Sequence, residues 1–146
     1  MKRTVCLFLA LIAVVSFCSC GKTIDTNKAK AMISQMLSDF SDRKFEEVAE
    51  NTADHNGTRV KAESIEPIYD WLVSHGVDPS LGITVDQYLG VYLTYGINRS
   101  SVQYSFDARC GDYIITFTVT VMQMKDDMFF SQILVNSLRS AAVTSG

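Results

Sequence analysis

The chain has 146 residues, 47% of them apolar and 20% charged, and its 13 basic and 16 acidic side chains leave a formal charge of −3. That length supports one domain around one core. The acidic balance, with no cluster of lysine or arginine, gives a phosphate backbone no footing and excludes nucleic acid as a partner.

Lys2 and Arg3 precede the apolar segment Val5 to Phe17, VCLFLALIAVVSF, followed by small residues and then polar sequence. This is the three-part layout of an export signal. The segment falls short of the roughly 20 apolar residues that a bilayer-crossing helix needs. Phe17 sits badly before an ordinary cleavage site, which wants small residues at the third and first positions before the cut.

The stretch Phe17-Cys18-Ser19-Cys20-Gly21 resembles the lipobox of bacterial lipoproteins, in which a bulky apolar residue, two small ones and an obligatory cysteine are read together. Cys20 fits as the modified residue because Ser19 before it is small, whereas Cys18 follows Phe17. The resemblance covers about the first 22 residues. It implies a signal peptide over 1–19, a lipidated tether over 20–27 and a single domain over 28–146, with a diacylglyceryl group on the Cys20 sulfur and a further acyl chain, such as palmitate, on the new amino terminus. Each buried methylene contributes about 0.8 kcal/mol, so two or three chains anchor firmly where one holds marginally. The resemblance places the protein in the cell envelope, and the lack of an acidic cluster after Cys20 (Lys22 and a single Asp25) points to an outer-membrane position facing the periplasm. Loss of Lys2 and Arg3 takes the formal charge to −5. No basic patch for anionic lipid is evident in the sequence.

Of the four cysteines, Cys6 and Cys18 leave with the leader and Cys20 is acylated. Cys110 is then alone in an oxidising compartment, and no intramolecular disulfide is expected. It lies in Ala108-Arg109-Cys110-Gly111-Asp112, which reads as a hairpin turn, and no histidine stands near it in sequence to activate a thiolate. A turn cysteine is the better reading than a nucleophile.

Met32, Ile33, Met36, Leu37 and Phe40 form one helical stripe. A second short helix is expected over Arg43 to Asn51 with Phe45, Val48 and Ala49 inward, ended by the turn chemistry of Asp54-His55-Asn56-Gly57. A third starts at Glu66 or Pro67, buries Ile68, Trp71 and Leu72, and stops at Gly76. The spacing predicts a fourth over Val85 to Tyr95: Thr84-Val85-Asp86-Gln87 matches a capping box, Val85, Tyr88, Leu89, Tyr92 and Leu93 repeat at helical intervals, and Gly96 sits where a terminator belongs. Gly90 inside it costs roughly 1 kcal/mol relative to alanine.

From Asp112 to Met124 the period changes to two: Tyr113, Ile115, Phe117, Val119 and Val121 alternate with Thr116, Thr118 and Thr120. Before it, Val102, Tyr104 and Phe106 alternate with Gln103, Ser105 and Asp107. After it, the Lys125-Asp126-Asp127 turn leads into a strand over Met128 to Asn136. These make a three-stranded antiparallel meander with one apolar and one hydroxyl-rich face. The fold class is α+β, with N-terminal helices packed on one face of a C-terminal antiparallel meander sheet.

This order, with the phrase MLSDFSDRKFEEVAEN over Met36 to Asn51, resembles the nuclear-transport-factor-two-like and cystatin-like domains that recur in small envelope lipoproteins. The resemblance implies a cone with a pocket between sheet and helices, where a few relatives place catalytic His or Asp residues. His55 falls in a turn and His75 in the last turn of a helix, where partial positive charge suits the helix dipole. Neither has an orienting partner in sequence, so both read as structural.

No His or Cys spacing suggests a metal site. Met122, Met124 and Met128 are soft ligands that suit copper(I), but packing accounts for them. Tyr88, Tyr92 and Tyr95 could stack a ligand, with core packing the stronger reading. No phosphate loop or nucleophile elbow occurs. No cofactor is implied, no enzyme class is supported, and the remaining candidate surface is the ligand or partner face at Thr116, Thr118 and Thr120. The reading is a membrane-tethered, non-catalytic binding or interaction domain, its partners being the membrane through Cys20 and an envelope protein. The alternatives are a cone-fold small-ligand carrier or enzyme, which requires an enclosed cavity, and an envelope inhibitor or immunity protein, which requires an exposed acidic patch.

Overall fold

A computed structural model of the chain describes residues 23–141. Helix α1, Thr26–Ser41, is opened by Asp25, whose Oδ1 accepts from the Asn27 and Lys28 amides at 3.0 Å each, satisfying orphan donors of the first turn. Its buried stripe contains Ala29, Ile33, Met36, Leu37 and Phe40. At its other end Ser41 Oγ donates to the Leu37 carbonyl (2.8 Å) and accepts from the Ile83 amide (2.9 Å), fastening the helix to the start of the sheet. Helix α2, Phe45–Glu50, follows a turn in which Arg43 takes a left-handed φ of 61°.

Helix α3, Glu66–Ser74, ends in a complete glycine cap. The Gly76 amide reaches the Val73 carbonyl (3.0 Å), the Val77 amide reaches that of Leu72 (3.1 Å), and Gly76 has φ +86°. This is the Schellman arrangement, with buried Val77 making its apolar closure. Tyr69 and Leu72 face inward, and Tyr69 joins Phe40 and Phe45 in an aromatic cluster with centroids 5.4 to 6.0 Å apart. Trp71, expected inside, is 41% exposed and stacks on His75 at 4.1 Å.

The sheet comprises β1 Thr84–Tyr95, β2 Arg99–Cys110, β3 Tyr113–Met124 and β4 Asp127–Ser140, antiparallel in the order β1-β2-β3-β4. The helices pack on one face of this meander, as the α+β reading requires. The segment predicted as a fourth helix, Val85 to Tyr95, is strand β1, so the meander has four strands rather than three. The cause lies in two bulges. Val85 and Gln87 oppose the consecutive residues Ala108 and Asp107, leaving Asp86 extra; Tyr88 and Gly90 oppose Phe106 and Ser105, leaving Leu89 extra. Each bulge stretches the strand's two-residue repeat to three. The inward set therefore runs Val85, Tyr88, Val91, Leu93, Tyr95, and its first intervals imitate a helix.

The core lies between the helices and the inner face of the sheet, where Ile33 and Leu37 meet Tyr104, Phe106, Phe117 and Val119, all at most 2% exposed. Phe106 and Phe117 stack across β2 and β3 at 5.5 Å. The edge at the start of β4 is covered by the chain after α2: the Phe130 amide donates to the Asn51 carbonyl (2.7 Å), and the Ala53 amide donates to the Phe130 carbonyl (2.9 Å).

Candidate functional site

The outer face of β2, β3 and β4 carries three cross-strand triads, each centred on one of the threonines singled out from the sequence. Thr116 Oγ1 donates to Asp107 Oδ1 (2.7 Å) and accepts from Arg139 Nη1 (3.4 Å), while Arg139 Nη2 donates to Asp107 Oδ2 at 2.6 Å. Thr118 Oγ1 accepts from Asn136 Nδ2 (2.5 Å) and lies 3.5 Å from Ser105 Oγ. Thr120 Oγ1 accepts from Gln103 Nε2 (3.3 Å) and donates to Gln132 Oε1 (3.4 Å). All three threonines are half-buried.

Register places these groups together. Asp107, Ser105 and Gln103 directly oppose Thr116, Thr118 and Thr120, where cross-strand side chains come into reach. On β4, register shifts between Thr116 and Phe117 and between Thr120 and Val121 leave Ser131 and Asn136 extra. The second shift turns Asn136 onto the hydroxyl face. Gln103, Ser105 and Asp107 were placed on the polar side by alternation; Asn136 and Arg139 were not, because the bulges change the parity of β4 and the strand runs on to Ser140.

Asp107 is 6% exposed. Burial alone would raise its carboxyl, but the hydrogen bonds from Arg139 and Thr116 and the guanidinium charge outweigh that cost and hold it below the ordinary carboxylate range. Arg139 keeps 44% of its side chain in solvent. Among the described residues no buried side-chain nitrogen or oxygen lacks a partner. The face is a pre-arranged plane of donors and acceptors with no nucleophile–base pair in it.

Recesses lie at the surface. A groove of about 700 Å³ opens at the hairpin end of the sheet, lined by Gly57, Ile97, Arg99, Met124, Asp127 and Phe129 among others, without histidine or cysteine. At the helix–sheet interface the side chains of Ile33, Leu37, Phe106 and Phe117 are packed and at most 2% exposed, and a smaller recess of about 360 Å³ lies between α1 and the start of β1, lined by Leu37, Ser41, Ile83 and Val85 among others.

The other candidates are dispersed. His75 Nδ1 donates to the Trp71 carbonyl (2.8 Å) at the end of α3. His55 belongs to an exposed turn organised by Asp54, whose Oδ1 accepts from the Asn56 (2.8 Å) and Thr58 (3.0 Å) amides; the Thr58 bond, then the Asn56 bond, lower the Asp54 carboxyl. Cys110 is the last residue of β2, 1% exposed, with Sγ donating to the Asp78 carbonyl at 3.2 Å. Burial, then the Asp78 charge, push its thiol up, away from thiolate chemistry.

Met122 and Met124 point to the outer face, whereas Met128 opposes Gln123 on the inner one, so the three do not converge. Among the described residues no three His, Cys, Asp or Glu side chains gather as a metal site. Tyr88 packs on Tyr104 and Phe106, but Tyr92 and Tyr95, 74% and 57% exposed, lie on opposite faces of β1 rather than in the core. Cys20 lies outside the described residues. No protein-family model matches this chain, and no curated protein matches it in sequence.

Proposed function

We propose that the protein is an envelope lipoprotein, anchored through Cys20, whose domain acts by binding a partner protein on the outer face of β2, β3 and β4. The observation that carries this reading is the triad ladder at Thr116, Thr118 and Thr120, in which side chains from three strands hold one another in fixed orientation across an open face. Pre-ordered polar groups bind with little further loss of conformational entropy. An open ladder of satisfied groups serves recognition; catalysis needs a recess and an activated group.

The test is a photo-crosslinking residue at position 118 in the native lipoprotein, in growing cells. A discrete adduct that Thr116→Lys abolishes supports the partner face. No adduct at 118, with efficient adducts from Ile97 in the groove, would move the site to the hairpin end and favour a ligand or carrier role. Separately, Cys20→Ser should abolish acyl labelling and release the chain from membranes; persistent labelling would remove the anchor.

A further inference from the structure

Among the described residues nothing covers the second half of the β1 edge, and the path of the chain places it beside the proposed anchor. Helix α1 overlies only the first half of β1. Ser41 bonds the Ile83 amide, Lys30 Nζ stands 4.9 Å over the Tyr88 ring, and the Thr26 carbonyl accepts from Tyr104 Oη (3.3 Å), the residue opposite Val91. There the helix ends and the polypeptide enters. Beyond that point the same inner face continues with Val91, Leu93 and Tyr95, which are 48%, 46% and 57% exposed, and Ile97 at the hairpin tip is 92% exposed.

The bulges at Asp86 and Leu89 lie in the half of this strand that α1 overlies, and beyond them the edge carries little further protection. From Gln87 to Asn98 the chain has no charged residue and no proline, two of the devices that keep exposed strands from pairing with others. The basic residues at hand are Lys28 and Lys30, both exposed on the first turns of α1, and Arg99, exposed beside Ile97 at the hairpin end. On an acidic chain they set positive charge beside an apolar stripe and exposed tyrosines, the composition of a surface that meets phospholipid headgroups.

Tether length then decides the occupant. Ile24 is already buried, so only Gly21, Lys22 and Thr23 separate Cys20 from the packed chain, a reach of about 14 Å when fully extended. We infer that the free edge of β1, with Val91, Leu93, Tyr95 and Ile97, rests on the surface of the phospholipid bilayer that holds the Cys20 acyl chains, so that the domain lies docked with its outer sheet face turned to one side. The inference rests on the reading of Cys20 as the lipid anchor. Depth is limited by the backbone: the unpaired amides and carbonyls of an edge strand need water or headgroup partners, so the side chains dip into the interface while the strand stays in the headgroup layer.

The experiment uses the full lipidated protein in vesicles of phosphatidylethanolamine and phosphatidylglycerol. Environment-sensitive fluorophores are placed on cysteines introduced at Leu93, Ile97 or, as a control, Asp70 on α3. Mass spectrometry of the amino-terminal peptide reads the anchor independently. Brominated-chain lipids should quench the labels at 93 and 97 several-fold more than the label at 70. The paired substitution Val91→Glu and Tyr95→Glu should remove that excess while the protein still floats with the vesicles. Equal quenching at all three positions in an acylated, vesicle-bound protein overturns the docking and leaves the anchor standing. An amino-terminal peptide without acyl groups overturns both. Rapid disulfide pairing of two copies through position 93, without lipid quenching, assigns the edge to a second copy and overturns the inference.

Discussion

Arg139 on β4 reaches over β3 to Asp107 on β2, placing a guanidinium nitrogen 2.6 Å from a carboxylate that is 6% exposed, with Thr116 bonded to both. Removing Arg139 leaves a nearly buried charge with one hydroxyl partner, so Arg139→Ala should cost about 1–3 kcal/mol in urea unfolding. The folded carboxyl is lowered, so its contribution is present above the unfolded carboxylate value of about 3.9 and is lost as pH falls through the lower folded value. Asp107→Asn should therefore lose stability at neutral pH and show a flatter acid limb below about pH 4. An unchanged acid limb would remove the pair from the stability of the fold.

Two glycines are expected to respond differently to alanine. Gly76 has φ +86°, and an added Cβ would stand 3.1 Å from Tyr113 Oη, so Gly76→Ala should cost about 1–2 kcal/mol. Gly90 is in a strand, with nothing within 4 Å of an added Cβ. Gly90→Ala should change stability by less than about 0.5 kcal/mol. A helix at that position would instead gain about 1 kcal/mol. Thermal and urea unfolding of both variants checks the pair.

Deleting Leu89 removes the second bulge of β1 without moving any other side chain to the opposite face, because Tyr88 and Gly90 then become consecutive against Phe106 and Ser105. The deletion should retain the fold at a cost of no more than about 1 kcal/mol. Tyr88→Ala, which removes a ring packed on Tyr104 and Phe106, should cost about 2–3 kcal/mol. Amide exchange across β1 and β2 reads whether the register persists. Loss of protection in the deletion variant would show the bulge to be structural.

Cys110 should resist alkylation in the folded protein and react at the rate of an ordinary thiol in denaturant, since it is 1% exposed and its thiol is pushed up by burial. Cys110→Ala should cost about 1–2 kcal/mol by leaving a small cavity and freeing the Asp78 carbonyl. Fast labelling of the native protein would contradict the buried placement.

The three helices and strands β2 and β3 were legible because their patterns are local: a 3.6-residue stripe at Ile33, Met36, Leu37 and Phe40, and strict alternation at Ile115, Phe117, Val119 and Val121. Strand β1 was hidden by its bulges at Asp86 and Leu89, which stretch the alternation until Val85 and Tyr88 imitate a helix. Trp71 and Tyr69 share one short helix, and hydrophobicity alone favoured the wrong aromatic for the core. The threonine face was visible, but its charged partner Arg139 was not. Which residue meets Thr116 depends on the register of β4, and two irregularities in that strand set it.

Each strand of the sheet is paired with the strand that precedes or follows it along the chain. Closing such a sheet requires only short loops, so its pairings carry a small entropic toll and can form hairpin by hairpin. Strand assembly can thus run ahead of the docking of α1, whose seam with the sheet joins distant parts of the sequence. Rapid zipping followed by slower helix docking is the folding order this connectivity favours, and a stopped-flow comparison of sheet and aromatic-cluster probes would resolve the two phases.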